Sequence, residues 1–60
     1  MTLMEFQLEA EKTVHKDAKT QFNPRATKWK YKCWVPNNTE YTIHTGRTPI
    51  EALENARKGD

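Results

Sequence analysis

Residues 27–45 constrain the fold more tightly than any other part of the chain, because their side chains alternate in character. In Lys28-Trp29-Lys30-Tyr31-Lys32-Cys33-Trp34-Val35 the odd positions are Trp, Tyr, Cys and Val, and the even positions are three lysines followed by Trp34. A β-strand sends successive side chains to opposite faces, so this run predicts one apolar face and one cationic face. Tyr41-Thr42-Ile43-His44-Thr45 repeats the period with Tyr41 and Ile43 on the apolar parity. Between the two runs, Pro36-Asn37-Asn38-Thr39 has the chemistry of a turn, asparagine tolerating left-handed backbone angles. A β-hairpin over 27–45 is therefore expected.

Parity also predicts the length of its loop. A two-residue loop at Asn37 and Asn38 pairs Lys32 with Ile43 and puts a lysine on the apolar face. A three-residue loop over 37–39 pairs Val35 with Tyr41 and Cys33 with Ile43, keeping all four on one face. The longer loop is preferred, with a left-handed residue at its end and Lys32 opposite His44.

After the hairpin, Thr48-Pro49-Ile50-Glu51 reads as a helix start over 48–58. Threonine caps, proline suits the first helical position, and Glu51 can reach back to the cap amide. Ile50, Ala52, Leu53 and Ala56 form the expected apolar face, and Gly59 can end the helix.

The beginning of the chain is less decided. Met4, Phe6, Leu8 and Ala10 fall on one parity and Glu5, Gln7, Glu9 and Glu11 on the other, which predicts a first strand over 1–12. A helix is the rival reading, since Leu3, Ala10 and Val14 share a helical face and Glu, Gln, Leu and Ala favour helices. From 13 to 26 the periodicity disappears and Asn23-Pro24 closes the stretch, so a long basic loop is expected. The expected fold is α+β, a small three-stranded antiparallel β-sheet with one C-terminal α-helix packed on one face, in a single domain over 1–60.

Sixty residues sit near the lower limit for a self-sufficient hydrophobic core, and the single Cys33 cannot bridge internally, so self-association as a homodimer is open to the chain. The lone cysteine, and the absence of any apolar run near the roughly 20 residues of a membrane span, lead to the expectation of a soluble cytoplasmic protein with no membrane role. Net charge is only +2 but is unevenly spread: −3 over 1–11, +6 over 12–32 and −1 over the remainder.

The candidates for chemistry are few. His15, Cys33 and His44 lack the number and spacing of zinc ligands, and the two glycines make no phosphate loop. Cys33 and His44 have opposite parity in the expected hairpin, which separates them as a nucleophilic pair. No catalytic residue, metal or cofactor is expected, and the chain reads as a binding protein and not as an enzyme. The basic stretch carries the candidate site: Arg25, Lys28, Lys30, Lys32 and Trp34, with His44 opposite. Cations on a strand face can lie along phosphates, and Trp34 among them can stack on an exposed base. In the plainer account, the lysines protect an edge strand from aggregation and Trp29 and Tyr31 fill the core.

The hairpin run followed by Thr48-Pro49-Ile50-Glu51-Ala52-Leu53-Glu54-Asn55-Ala56 resembles the sheet-plus-helix DNA-binding modules of plant ethylene-response factors and of tyrosine-recombinase arm-binding domains. That resemblance implies a sheet placed in the major groove through Lys28, Lys30, Lys32 and Trp34. The same half of the chain is similar to the small RNA-polymerase inhibitor of T7-like phages and to HicB-type antitoxins, which implies a protein partner instead. Two functions are thus expected: a phage or mobile-element binding protein that engages nucleic acid through its basic sheet face, or an inhibitor or adaptor that blocks a host enzyme, such as RNA polymerase or a defence nuclease, through an interface around Trp34.

Overall fold

The structure, a computed structural model, describes every residue except Lys28 and Asp60. The element order is α1 (Leu3–Thr13), β1 (Lys19–Phe22), β2 (Tyr31–Asn37), β3 (Glu40–Gly46) and α2 (Pro49–Lys58). The three strands form one antiparallel sheet in the order β1-β2-β3. The α+β class and the three-stranded sheet match expectation, but two helices lie on the sheet where one was expected.

Residues 1–12 do not form the predicted strand. Thr2 caps α1 with a reciprocal pair of bonds: the Glu5 amide donates to Thr2 Oγ1 at 3.1 Å, and the Thr2 amide donates to the Glu5 carboxylate at 3.0 Å. The Thr2 amide, and after it the Thr2 side chain, hydrogen-bonds the Glu5 carboxylate and holds its pKa below the ordinary value. From Leu3 to Lys12 no residue is β-branched and nearly all are strong helix formers, which outweighs the accidental alternation. Phe6 and Ala10, one turn apart, are buried, while Met4 and Leu8 of the same parity stand exposed.

The predicted loop over 13–26 contains β1. Its four residues are too short for a periodic signal, yet Thr20 and Phe22 face the helices and pair with Cys33 and Tyr31. Gln7 fixes α1 to this strand, its Nε2 donating to the Ala18 carbonyl at 2.8 Å and its Oε1 accepting from Thr20 Oγ1 at 2.6 Å.

The hairpin is present, but in a different register. Asn37 pairs with Glu40 across a two-residue turn, and the left-handed residue is Asn38, with φ of 57°. Cys33 therefore faces His44, Val35 faces Thr42 and Lys32 faces Thr45. A one-residue shift in register turns a whole strand over, so Tyr41 and Ile43 leave the core side and His44 and Gly46 enter it. Gly46 accounts for the choice. A Cβ placed there would lie 2.5 Å from the Ala52 amide nitrogen, so α2 approaches β3 closely only with glycine at that position. The predicted register would have presented Ile43 and Thr45 to α2 instead.

Thr48 caps α2, accepting from the Glu51 amide at 3.1 Å, and Gly59 ends it in the left-handed region. Asn55 Nδ2 ties the helix to the Thr45 carbonyl at 2.7 Å. Ala52, Leu53 and Ala56 are buried, whereas Ile50, assigned to the same face from sequence, is exposed. The core is Phe6, Ala10, Ala18, Cys33, Ala52, Leu53 and Ala56, with Val14, Tyr31 and Val35 packed around it. Tyr31 meets Phe6 edge-on at 5.6 Å and Phe22 at 4.9 Å. Both helices contribute to this one cluster and so lie on the same side of the sheet. No helix among the described residues is long and apolar enough to cross a membrane.

Candidate functional site

With both helices on one side, the other side of the sheet is left uncovered by any described element. The strand registers define its surface. In one row, Lys19 of β1, Trp34 of β2 and Ile43 of β3 stand side by side, and in the next row come Gln21, Lys32 and Thr45. Toward the hairpin turn, Pro36 lies beside Tyr41. Basic and polar side chains thus occupy one end of this face and apolar ones the other. Among the described strand residues of this face none is acidic: Glu40, the one acidic residue in the described strands, has the opposite parity, and Glu5, Glu9, Glu11, Glu51 and Glu54 belong to the helices.

Trp34 is half-buried in the middle of the central strand, with Lys32 two residues before it on the same side. Neither position contributes to the core cluster. Because β2 is flanked by a strand on each side, Lys32 guards no sheet edge, and the edge-protection account of that lysine does not apply. Tyr41 and Ile43 are 55% and 56% exposed, high values for apolar side chains beside a tryptophan.

The remaining predicted residues are distributed differently. Lys30 stands one position before β2, half-buried, and its carbonyl accepts from the Asn23 amide at 2.7 Å. Arg25 is exposed in the β1–β2 connection, where its amide donates to Asn23 Oδ1 at 3.1 Å. Lys28 lies outside the described residues. His44 does not belong to the site. It is 3% exposed on the helix side of the sheet, opposite Cys33, because the shorter turn reverses the strand that carries it. Trp29, expected in the core, is 60% exposed.

The sequence places Lys19 in the basic loop and Ile43 on the apolar face, yet both flank Trp34. The signal for Lys19 was only the two-period alternation of Lys19-Thr20-Gln21-Phe22, hidden in a stretch rich in turn residues. Ile43 was assigned to the wrong face through the register alone.

Cys33 and His44, predicted to be on opposite faces, are cross-strand neighbours. Cys33 is fully buried, and burial pushes its thiol pKa above the ordinary value, which disfavours the thiolate. Among the described residues, no three of His, Cys, Asp or Glu come together in a metal-binding arrangement.

Compared with known families, curated proteins and solved structures, the chain matches none. Its site must be read from its own chemistry. That chemistry is lysines and an aromatic ring on the sheet face away from the helices.

Proposed function

We propose that this chain is a non-enzymatic binding module that engages nucleic acid through the uncovered face of its sheet, with Trp34 as the stacking group and Lys19, Lys30 and Lys32 as phosphate contacts. One observation supports the reading: the central strand presents Lys32 and Trp34 on the sheet face away from both helices, outside the core cluster, where none of the described strand residues is acidic. A strand of nucleic acid with exposed bases suits it, because base–aromatic stacking tolerates any sequence and lysines follow the backbone. Arg25, exposed in the β1–β2 connection, extends the cationic reach beyond the sheet.

The test is a titration with a fluorescently labelled single-stranded oligonucleotide at low and moderate salt. About three phosphate contacts on a single strand correspond to a slope near −2 in log affinity against log salt, or roughly a 20-fold loss for a fourfold rise in salt. Trp34→Ala should weaken binding by about tenfold or more, the scale of one lost base stack. No binding at low salt, or affinity indifferent to both salt and Trp34, would reject the reading.

A second reading is favoured by Tyr41 and Ile43. Together with Trp34 and Pro36 they give the hairpin end of the same face an apolar patch suited to a protein partner, as an inhibitor or adaptor would use. It predicts a complex that survives moderate salt and nuclease and is lost on Ile43→Glu. Lysate pull-downs with and without nuclease separate the two readings.

A further inference from the structure

A second surface lies at the β1 edge of the sheet. The bond from the Asn23 amide to the Lys30 carbonyl marks these residues as a hydrogen-bonded pair. Such pairs alternate along an antiparallel ladder, and the register then assigns Gln21–Lys32 and Lys19–Trp34 to the bonded class as well. Thr20 and Phe22 are therefore the residues whose main-chain N–H and C=O point away from β2, to the free edge. Beside them, Leu3, Met4, Gln7 and Leu8 of α1 line an open groove with Thr20. Leu3, Met4 and Leu8 are 49%, 74% and 48% exposed, and Phe22 itself is 39% exposed.

We propose that this edge is the interface for a second copy of the chain, with β1 pairing antiparallel to β1 of the other copy about a two-fold axis at Gln21. This register sets Thr20 of each copy opposite Phe22 of the other, so the edge groups of both residues exchange about four main-chain hydrogen bonds. Directly opposed residues share a face, and Phe22 therefore enters the groove beside the other copy's Thr20, against Leu3, Met4 and Leu8. On the opposite face, Gln21 meets Gln21 and Lys19 meets Asn23, so no lysine opposes a lysine.

The neighbouring register, with its axis at Thr20, is disfavoured. It would bring Ala18 opposite Phe22, and the Ala18 carbonyl is already held by Gln7 at 2.8 Å. The lean core of a chain this short is a further reason for association, since burial in a dimer supplies what a small interior lacks. The pairing leaves the uncovered faces of the two sheets on one side, and it stands independently of the nucleic-acid reading.

The experiment is sedimentation equilibrium of the full chain from low micromolar to about 0.5 mM, with Leu8→Glu as the interface variant. Leu8 lies outside the core, so the variant should keep the far-ultraviolet dichroism of the parent while becoming monomeric. Gln21→Cys should form a disulfide-linked dimer on oxidation, because a non-hydrogen-bonded pair on the axis holds its Cα atoms about 4.5 Å apart. Lys19→Cys, which would face Asn23, should not. A parent that stays monomeric throughout, a dimer indifferent to Leu8→Glu, or cross-linking by Lys19→Cys in place of Gln21→Cys would overturn the proposal.

Discussion

The two faces of β2 are made by the same seven residues and have opposite duties. Tyr31, Cys33 and Val35 meet the helices and take part in the core, while Lys32, Trp34 and Pro36 look away from it. Packing dictates the first set, since volume and shape there decide whether the chain folds. On the second, Trp34 stands between Lys19 and Ile43 and takes no part in the core cluster. The difference teaches that stability and binding should separate by parity along one strand, and substitutions can break or sharpen that separation.

The largest effect is expected on the helix side. Phe6→Ala removes one of the largest fully buried side chains and its edge contact with Tyr31, costing about 3–5 kcal/mol. In a domain of this size that approaches the whole stability. Thermal and urea denaturation should find the variant largely unfolded.

Next comes Gly46→Ala, which forces a methyl group against the α2 backbone. A loss of about 1–3 kcal/mol is expected, as for other overpacked positions, and a small loss would show that Gly46 does not set the register of β3. On the uncovered face, Lys32→Glu should leave the melting temperature nearly unchanged yet weaken oligonucleotide binding severalfold and flatten its salt dependence. Lys58→Glu, on α2, serves as a charge-matched control and should affect binding far less. If the two reversals weaken binding equally, overall charge and not the sheet face is responsible.

The smallest effect concerns the first helix turn. Thr2→Ala should cost about 1 kcal/mol, the ordinary value of an N-cap. Because the folded Glu5 carboxyl titrates below its ordinary 4.5, its contribution is complete above that pH and fades as pH falls through the folded value. Helicity followed by circular dichroism in acid should show a shallower decline in Glu5→Gln than in the parent.

How far the sequence could be read follows from the length and kind of its signals. The α2 boundaries were legible because Thr48, Pro49 and Gly59 act locally, through capping bonds and allowed backbone angles. The parity of β2 was legible over a long alternating run. α1 was misread because Met4, Phe6, Leu8 and Ala10 alternate, although only Phe6 and Ala10 are buried, at helical spacing. The hairpin register turned on the close approach of α2 to Gly46, a tertiary contact that no local pattern carries. From the candidate site, Lys30, Lys32 and Trp34 are legible through strand parity, and Arg25 through the charge of the middle third. His44 was misplaced through the register, and Lys19 reads as part of a basic loop because a strand of four residues has too few periods to stand out.

The most direct test of the central claim uses the two indoles. Titrating isotopically labelled protein with a short single-stranded oligonucleotide and following the Trp34 and Trp29 indole N–H resonances, with the amides of β2 and of α2, compares the uncovered face with the rest of the molecule. The account predicts large shifts at the Trp34 indole and around Lys32, with the amides of α2 near Leu53 and Ala56 almost still. Shifts confined to α1, α2 or the β1–β2 connection, with the Trp34 indole unmoved, would contradict it.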